Sequence, residues 1–384
     1  MAKIVCATSV LLGREAFASL GKLDWIPEKD IGPEVVRNAD LLIARSKVKV
    51  NQALLHNSHV SFVATATAGF DHFDTAYLNK HGIAWTSSPG CNANSVAEWV
   101  IAALLHLAMQ HGVDLQGRTL GIVGVGNVGS RVAALAPALG LRVLLNDPPR
   151  ERAEPNLDWK SLDTILKESD IVTLHVPLTD GGPCPTRAMV DCRFLANLKP
   201  GAIFINASRG EVVDEESLLL SLERHYIGPA ALDVFAHEPD VSPQTAARAA
   251  IATPHIAGYS YEGRLRGTEM CYQAACRFLE AEPQWTPPPL PPDPARVISY
   301  TAPRSSPIEA LAHIVGAAYS IADDDRALRT GLTPDESARR RHFQQLRAHY
   351  PDRHEFPAFT VRLGGESADL ARRLSRLGFG IKLL

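Results

Sequence analysis

The sequence predicts an α/β protein with doubly wound parallel sheets, and three observations support this fold class. Short apolar runs alternate with longer stretches of helical character along most of the chain. A glycine-rich turn at residues 124–129 follows one apolar run and precedes a helical stretch. Polar residues directly follow several other apolar runs. Because the carboxyl ends of parallel strands meet at one edge of a sheet, these polar residues are expected to lie in one crevice.

Bulk composition narrows the possible partners. The chain has 384 residues, of which 46% are hydrophobic and 21% charged, and this fits two or three globular domains. A net charge of −3 gives no electrostatic basis for binding nucleic acid or a membrane surface. The longest apolar helical stretch, residues 96–109, is too short to cross a bilayer and contains Glu98. We therefore expect a small-molecule ligand rather than nucleic acid or a membrane.

Cysteine usage indicates the compartment. The six cysteines are scattered, without a C-x-x-C pair or a spacing typical of a metal site. Scattered thiols in a chain of this length are typical of the reducing cytoplasm. Residues 1–13 are apolar with one lysine but lack a convincing cleavage site, and residues 4–7 fit a first strand better. We expect a cytoplasmic protein without a metal.

The strands follow from the apolar runs in chain order. Four runs in residues 1–94 predict a small parallel sheet, namely residues 4–6, 41–44, 61–64 and 83–85. Residues 94–110 predict a crossover helix to the next domain. Six further runs predict a doubly wound sheet, namely residues 119–123, 141–145, 171–174, 202–206, 230–233 and 251–252. A helix is predicted over residues 130–139.

The glycine-rich turn has the G-x-G-x-x-G spacing of a dinucleotide site, with an acid after the next strand. Gly124 permits a tight turn, Gly126 lets the backbone approach a pyrophosphate, and Gly129 lets the helix pack closely on the strand. The helix N-terminus presents N–H groups and a partial positive charge to the phosphates. Asp147 can accept hydrogen bonds from ribose hydroxyls and would repel a 2′-phosphate. We therefore predict a Rossmann domain that binds NAD rather than NADP.

The C-terminal region predicts a further unit. Residues 285–294 are rich in proline and predict a stiff, extended linker. Ser306 and Glu309 form a capping-box pattern around Pro307, which predicts that a helix begins there. Another helix is predicted over residues 337–349. A segment of about ninety residues buries only a modest core alone, so we expect it to pair with a second copy in a homodimer.

Three polar residues after separate strands indicate catalytic chemistry. Arg209 follows one strand, and its planar guanidinium suits a carboxylate bound through two hydrogen bonds. Glu238 and His255 follow the next two strands, and a histidine beside a carboxylate is the usual proton acceptor near neutral pH. The alternatives are a surface ion pair for Arg209 and a buried structural histidine for His255. His237 is a rival partner that lacks such a placement argument.

These segments together resemble the D-2-hydroxyacid dehydrogenase family. The resemblance covers about residues 1–285 and is carried by residues 124–129, 175–179, 206–210, 233–239 and 254–258. It implies two doubly wound parallel-sheet lobes, Rossmann- and flavodoxin-like, with a cleft, and a catalytic triad of Arg209, Glu238 and His255. The implied NAD contacts are Gly124, Gly126, Asn127, Val128, Gly129, Asp147, Val176, Ala207, Ser208, Arg209, Asp233 and Gly258.

Other segments resemble one branch of that family, whose members oxidise 4-phospho-D-erythronate. They are residues 44–51, 67–72, 89–93, 259, 323–329 and 343–351. The resemblance implies oxidation at C2 to 3-hydroxy-2-oxo-4-phosphonooxybutanoate, an early step of pyridoxal 5′-phosphate synthesis. It implies substrate contacts at Ser46, Thr67 and Tyr259. Arg45 and Arg353 are candidate ligands of the phosphate, and the alternative for Arg45 is a merely solvated side chain.

The resemblance also implies a domain plan. Residues 1–94 and 260–285 would form the substrate-binding lobe, and residues 95–259 the NAD-binding Rossmann domain. Residues 286–294 would be the linker, and residues 295–384 an α+β dimerisation domain. Two positions depart from the family, because Val176 stands where threonine is common and Phe70 where a small residue or threonine is common.

Two alternatives to this activity stay open. Another enzyme of the family, of the 3-phosphoglycerate or glyoxylate/hydroxypyruvate type, would share the triad, but the C-terminal tail argues against both. An NAD-sensing corepressor of the same fold would bind the cofactor without needing turnover. Such proteins usually carry disordered tails, whereas the tail here has apolar residues at helical spacing, namely Ile308, Leu311, Ile314 and Val315.

Overall fold

The computed structural model describes residues 1–301, 306–365 and 368–384. Within these residues the chain forms two compact units. The first unit comprises Met1–Asn94 and Tyr259–Pro291, and the second comprises Ser95–Gly258 and Pro292–Leu384. The C-terminal segment therefore belongs to the same unit as the glycine-rich turn.

The strands and helices are numbered in chain order. The strands are β1 (Ala2–Ala7), β2 (Gly21–Ile26), β3 (Leu41–Ala44), β4 (Phe62–Thr65), β5 (Ala84–Thr86), β6 (Thr119–Val123), β7 (Arg142–Asn146), β8 (Ile171–Leu174), β9 (Ile203–Asn206), β10 (Ala230–Leu232), β11 (Ile251–Ala252), β12 (Val297–Thr301), β13 (Thr360–Gly364) and β14 (Gly380–Leu383). The helices are α1 (Gly13–Phe17), α2 (Pro33–Val36), α3 (Gln52–Leu55), α4 (Thr75–Lys80), α5 (Ala93–His111), α6 (Asn127–Leu135), α7 (Pro148–Ala153), α8 (Leu162–Glu168), α9 (Cys192–Ala196), α10 (Glu215–Glu223), α11 (Pro243–Arg248), α12 (Tyr261–Phe278), α13 (Pro307–Ala318), α14 (Ile321–Arg329), α15 (Glu336–Ala348) and α16 (Ala368–Leu377). The predicted α/β fold with parallel sheets is confirmed, because every strand pairing among the described residues is parallel.

The first unit is built around a five-stranded sheet with the order β2-β1-β3-β4-β5. This is the strand order of flavodoxin-like folds. Strands β3 and β4 are buried along their whole length, as expected for parallel strands covered on both faces. Strand β2 is absent from the sequence-based prediction. It lies at the edge of the sheet and is only partly buried, so its sequence, interrupted by Lys22 and Asp24, lacks a continuous apolar run.

The second unit contains a six-stranded sheet with the order β11-β10-β9-β8-β6-β7. Strand β6 pairs with β7 on one side and with β8 on the other, so the winding direction reverses at β6. Ligands of doubly wound sheets bind at such a switch point, beyond the carboxyl ends of the strands. Helix α6 begins at Asn127, earlier than the sequence predicts, and continues as a short 3-10 turn over Ala136–Leu139.

The C-terminal part of the second unit carries a three-stranded sheet, β12-β13-β14. Helix α13 has the predicted capping box, since Ser306 Oγ accepts from Glu309 N at 3.2 Å and Glu309 Oε2 accepts from Ser306 N at 2.8 Å. The second predicted helix is α15. Leu328 of α14 and Phe343 of α15 are buried in the core around the six-stranded sheet. Among the described residues, no helix has both the length and the apolar character needed to cross a membrane.

Candidate active site

The turn after β6 requires glycine at two positions. Gly124 has a φ of 86°, and a Cβ there would lie 2.7 Å from the carbonyl oxygen of His175. A Cβ on Gly129 would lie 2.1 Å from the carbonyl oxygen of Gly124. The loops after β6 and β8 and the first turn of α6 are therefore as close as their backbones allow.

The middle glycine of the turn faces open space. A Cβ on Gly126 would meet no atom within 4 Å. Gly126 is also the N-cap of α6, and no side chain caps the helix there. The first N–H groups of α6 therefore lie next to the open space at Gly126. This arrangement suits a pyrophosphate. These residues fit a dinucleotide.

Asp147 follows β7, and its carboxylate is bonded to the glycine-rich turn. Its Oδ2 accepts from Val125 N at 2.8 Å, and its Oδ1 accepts from Arg150 N at 3.0 Å. The guanidinium of Arg150 in turn contacts the carbonyl oxygen of Val125 and donates to Ser130 Oγ at 2.9 Å. The sequence-based site does not include Arg150. Its position three residues after Asp147 is the spacing at which the side chain of an N-cap residue accepts from a backbone N–H group. The ribose contact of Asp147 stays a prediction.

The loop after β8 begins with a neutral histidine. Burial lowers the pKa of His175 to about 3, and its Nε2 lies 3.0 Å from Thr173 Oγ1. Val176 follows it and packs, partly buried, against the core of the sheet. An apolar side chain at this position offers a nucleotide only van der Waals or backbone contact. The NAD contact of Val176 stays a prediction.

The loop after β9 carries Arg209 and is shaped by a buried asparagine. Asn206 Oδ1 accepts from Ser208 N at 3.0 Å and from Ser208 Oγ at 2.7 Å, and Asn206 Nδ2 donates to Arg209 O at 3.0 Å. Arg209 Nη1 donates to Ser208 O at 2.9 Å. A Cβ on Gly210 would lie 2.0 Å from the carbonyl group of Phe235, so the loop after β10 lies directly against this turn. Asn206 is the organising residue that the sequence did not reveal.

Glu238 and His255 form the predicted pair. His255 Nδ1 lies 2.7 Å from Glu238 Oε2, and Glu238 Oε1 accepts from Phe235 N at 3.0 Å. Burial alone would raise the pKa of Glu238, but the charge and hydrogen bond of His255, together with the Phe235 N–H, outweigh burial and lower it. Because an ionised carboxylate only accepts hydrogen bonds, Nδ1 carries the proton and Nε2 is left with its lone pair. The side chain of His255 is 33% exposed.

The backbone of His255 is in a left-handed conformation, with a φ of 56°. This conformation is unfavourable for a residue with a Cβ and needs support from its surroundings. Asp233 provides it, since Oδ1 accepts from Thr253 Oγ1 at 2.6 Å and from Ile256 N at 2.9 Å, and Oδ2 accepts from Ala257 N at 2.9 Å. Burial raises the pKa of Asp233 to about 6, against the opposing effects of His255 and these hydrogen bonds. Asp233 therefore holds the loop that presents His255, while its NAD contact stays a prediction.

Three predicted substrate residues of the first unit lie at the carboxyl ends of adjacent strands, whereas Tyr259, the fourth, lies just before α12. Arg45 and Ser46 follow β3, and Arg45 Nη1 donates to Ser9 O at 3.3 Å. Thr67 follows β4, and its hydroxyl donates to Gly69 O at 2.8 Å and lies 2.7 Å from Thr65 Oγ1. Phe70, the departure from the family pattern, is 45% exposed. Arg45, Ser46 and Thr67 lie at one edge of the five-stranded sheet, because the carboxyl ends of its parallel strands meet there.

Arg353 is in a different setting. Its side chain is 4% exposed, and its guanidinium donates to two backbone carbonyl groups of the second unit. That Arg353 binds the phosphate stays a prediction. The hydrogen bonds that Arg353 makes in the structure support a structural role. The second unit thus brings together a dinucleotide turn, Arg209 and a Glu238–His255 pair at the carboxyl edge of one sheet. This arrangement can bind a nucleotide and move a proton beside it.

Known proteins are similar to this chain in sequence and in fold. Residues 96–257 match the family described as D-isomer specific 2-hydroxyacid dehydrogenase, NAD binding domain, and residues 290–378 match a domain of unknown function. A D-lactate dehydrogenase of Aquifex aeolicus, solved with NAD and lactic acid, is 27% identical, with a TM-score of 0.60 over 72% of this chain and 96% of that one. An NAD+-bound 3-phosphoglycerate dehydrogenase of Entamoeba histolytica is 26% identical, with a TM-score of 0.62 over 72% and 95% of the two chains.

Similarity to one group extends over nearly the whole chain. The erythronate-4-phosphate dehydrogenase of Pseudomonas paraeruginosa is 41% identical to this chain, and the match covers 98% of this chain and 99% of the relative. The two dehydrogenase structures, by comparison, cover 72% of this chain. The chain belongs to the erythronate-4-phosphate dehydrogenase family, within the D-isomer specific 2-hydroxyacid dehydrogenases.

Proposed function

We propose that the protein oxidises the C2 hydroxyl of 4-phospho-D-erythronate with NAD, giving 3-hydroxy-2-oxo-4-phosphonooxybutanoate for pyridoxal 5′-phosphate synthesis. The observation that carries the proposal is the Glu238–His255 hydrogen bond of 2.7 Å, at the sheet edge that also carries Arg209 and the dinucleotide turn. Such a pair fits removal of a hydroxyl proton. The similarity to erythronate-4-phosphate dehydrogenases over nearly the full chain supports the substrate.

Bound NAD would supply the hydride acceptor. The residues that would hold it are those of the turn after β6, with the open position at Gly126 and the N-terminus of α6 beside the pyrophosphate. Asp147 lies at the end of β7, where a carboxylate meets the ribose hydroxyls in this fold. A carboxylate there disfavours the additional phosphate of NADP.

The proton chemistry follows from the ring orientation of His255. Arg209 would bind the substrate carboxylate through its guanidinium and so fix the orientation of C2. His255 Nε2, the ring nitrogen not bonded to Glu238, would accept the C2 hydroxyl proton as the C2 hydrogen leaves as hydride. The resulting imidazolium keeps its Nδ1 hydrogen bond to Glu238, whose negative charge stabilises it.

The phosphate group distinguishes this substrate from simpler hydroxy acids. We assign its recognition to the first unit, where Arg45 and Ser46 follow β3 and Thr67 follows β4. The guanidinium of Arg45 and the hydroxyl group of Ser46 offer donors that a phosphate needs, whereas Thr67 would first have to release the hydrogen bond that it donates to Gly69 O. Tyr259 completes the proposed set of substrate contacts.

A homodimer through the C-terminal sheet is the proposed assembly. Parallel sheets are normally covered on both faces. Helices α13 and α16 pack on this sheet, whereas Ser299, Arg362 and Lys382, which are register neighbours on β12–β14, are exposed. A second copy over that face would cover it. Light scattering of the full chain is expected to give the mass of a dimer, and a monomer at micromolar concentration would rule the dimer out.

The proposed compartment is the cytoplasm. Two cysteines, Cys184 and Cys192, are thiols that are not buried. Accessible thiols persist in a reducing environment.

A substrate panel tests the proposed activity. Purified protein would be assayed with NAD on 4-phospho-D-erythronate, 3-phosphoglycerate and unphosphorylated D-erythronate, with 2-oxoglutarate added in parallel as an acceptor that could reoxidise retained cofactor. We expect clear preference for the phosphorylated four-carbon acid. Preference for 3-phosphoglycerate would move the assignment to that enzyme type, and NAD binding without turnover of any hydroxy acid would favour a sensor.

A further inference from the structure

We propose that Arg353 is a positioning residue for His255. Its guanidinium holds the carbonyl group of Ala257 and thereby fixes the strained loop on which the histidine stands. The proposal rests on the proposed function, in which His255 is the proton acceptor. It assigns to the C-terminal segment a part in the active site besides any role in assembly.

The contacts of Arg353 lead to the catalytic loop. Arg353 Nη1 donates to Ala257 O at 3.3 Å, and Arg353 Nη2 donates to Ser95 O at 2.9 Å. Both acceptors belong to the second unit, as Arg353 does. Ala257 lies two residues after His255. One guanidinium thus joins the first turn of α5 to the loop after β11.

The guanidinium is itself held from several sides. Its central carbon lies 3.7 Å from the centroid of the Tyr319 ring, within the range of a cation–π contact. Glu98 Oε2 lies 3.8 Å from Nη2 and provides a buried negative charge. The hydroxyl groups of Tyr319 and Tyr350 donate to Asp324 Oδ2 at 2.7 and 2.8 Å, which fixes the ring under Arg353. A side chain held in this way can define the position of what it binds.

Ala257 is held at both of its backbone polar groups. Asp233 Oδ2 accepts from Ala257 N at 2.9 Å, and Arg353 donates to Ala257 O. The left-handed conformation of His255, two residues earlier, is maintained only if its neighbours are fixed. Asp233 secures the loop from within the sheet, and Arg353 secures it from the C-terminal segment.

The same segment also holds the strand that leads to His255. Strand β11 is an edge strand, and Asp325 Oδ1 of α14 accepts from Ala252 N at 2.7 Å. Arg329, one turn later on α14, donates to Ala246 O at 2.7 Å and to Ala249 O at 2.9 Å. Together, Asp325, Arg329 and Arg353 bond to four backbone groups between residues 246 and 257. The C-terminal segment therefore holds the backbone on both sides of His255, the proposed proton acceptor.

The test compares two substitutions of Arg353 with a matched control. Arg353→Met keeps the length of the side chain and removes both hydrogen bonds. Arg353→Lys keeps the charge beside Glu98 and over Tyr319, but one ammonium group cannot reproduce the fork that reaches Ser95 and Ala257 together. The control is Arg373→Met, since Arg373 Nη1 also donates to a backbone carbonyl of the second unit, Ala138 O, at 3.0 Å.

Two measurements separate positioning from stability. The first is kcat, KM and the NAD dissociation constant of the full-length protein. The second is the 15N spectrum of the His255 ring, assigned with His255→Asn, which shows which ring nitrogen carries the proton. We expect Arg353→Met to lose about a hundredfold in kcat with NAD affinity retained, because small displacements of a catalytic group have effects of this size. The preference for the proton on Nδ1 should weaken as well, and Arg353→Lys should lie between Met and wild type. Arg373→Met should match the wild type.

Several results would overturn the proposal. Wild-type kcat and ring spectrum in Arg353→Met would do so, as would equal losses in Arg373→Met. If Arg353→Met does not fold, Arg353→Lys decides, and an unchanged kcat and spectrum in that variant count against positioning. The ring spectrum needs no substrate. Failure of the wild type to oxidise 4-phospho-D-erythronate would therefore reject the proposed function without deciding the role of Arg353.

Discussion

A single hydrogen bond sets the chemistry of His255. The 2.7 Å contact with Glu238 places the proton on Nδ1 and leaves Nε2 as the acceptor. The sequence predicts this pair, because both residues follow strands of one parallel sheet. It does not predict that Asp233 holds the histidine loop, since that role depends on N–H groups whose direction is fixed only when the loop has folded. The same applies to Asn206, whose side chain shapes the turn before Arg209.

Replacing His255 tests the proton acceptor directly. His255→Ala removes the acceptor and should lower kcat by about 10²–10⁴-fold, the usual range for loss of a general base. NAD binding should persist, because the glycine-rich turn is unchanged. His237→Ala is the control, since His237 is exposed, and the ring that lies 2.7 Å from Glu238 is that of His255. Comparable activity in the two variants would remove His255 from the mechanism.

The pH dependence of the His255 loop follows from Asp233. Its pKa is raised from 3.8 to about 6, so the folded protein holds this proton more tightly than the unfolded chain does. Protonated Asp233 therefore favours the folded state, and its contribution to stability declines as the pH rises from 3.8 to about 6. The neutral acid carries one O–H donor and cannot accept equally from Thr253, Ile256 and Ala257.

Activity should respond to this proton in the opposite sense from stability. We expect kcat to fall as the pH is lowered through about 6, while the contribution of Asp233 to the free energy of unfolding rises. Urea unfolding and initial rates measured across this pH range provide both quantities. Asp233→Asn should lower kcat and flatten this part of the stability profile. An unchanged stability profile in Asp233→Asn would show that another group titrates there.

At the scale of elements, the turn between β6 and α6 distinguishes two kinds of glycine. Gly129 is required by packing, since a Cβ would lie 2.1 Å from Gly124 O, whereas Gly126 faces open space. The sequence predicts too late a start for α6, because Gly129 in its first turn is a residue type that is typical of loops. In the structure this glycine lies inside the helix, where it allows the close approach to Gly124. Buried strands such as β3 and β8 were predictable because their apolar runs are continuous.

Alanine at these two glycines should give different defects. Gly126→Ala should leave the free energy of unfolding within about 0.5 kcal/mol of wild type, because the new methyl group meets no protein atom. Its NAD affinity should fall by about tenfold or more, or about 1.4 kcal/mol. Gly129→Ala should lose about 1–3 kcal/mol of stability as well as NAD binding. Calorimetric titration with NAD and urea unfolding measure these effects, and equal NAD affinity in Gly126→Ala and wild type would contradict the placement of the pyrophosphate.

At the scale of the whole molecule, the C-terminal segment is part of the second unit. Its small core and the proline-rich stretch predict a separate dimerisation domain, and the capping box and α15 were predictable from local pattern. Its packing was not, because Leu328 and Phe343 are single apolar positions whose partners lie far away in the chain. The contacts of Asp325, Arg329 and Arg353 with residues 246–257 are equally non-local.

Removing one buried ring of the C-terminal segment should destabilise the second unit. Phe343 is 1% exposed and belongs to the core around the six-stranded sheet. Phe343→Ala should cost about 3–5 kcal/mol in the free energy of unfolding. Leu220→Ala is the control, because Leu220 is 45% exposed. Urea unfolding followed by circular dichroism compares them, and a loss below about 1 kcal/mol in Phe343→Ala would contradict a shared core.

The central claim is that this chain oxidises 4-phospho-D-erythronate at C2. The most direct measurement incubates the purified protein with this acid, NAD and 2-oxoglutarate, identifies the product by NMR and repeats the reaction with His255→Ala. We expect the wild type to form 3-hydroxy-2-oxo-4-phosphonooxybutanoate and the variant to form almost none. Absence of this product from the wild-type reaction, with NAD bound to the protein, would contradict the claim.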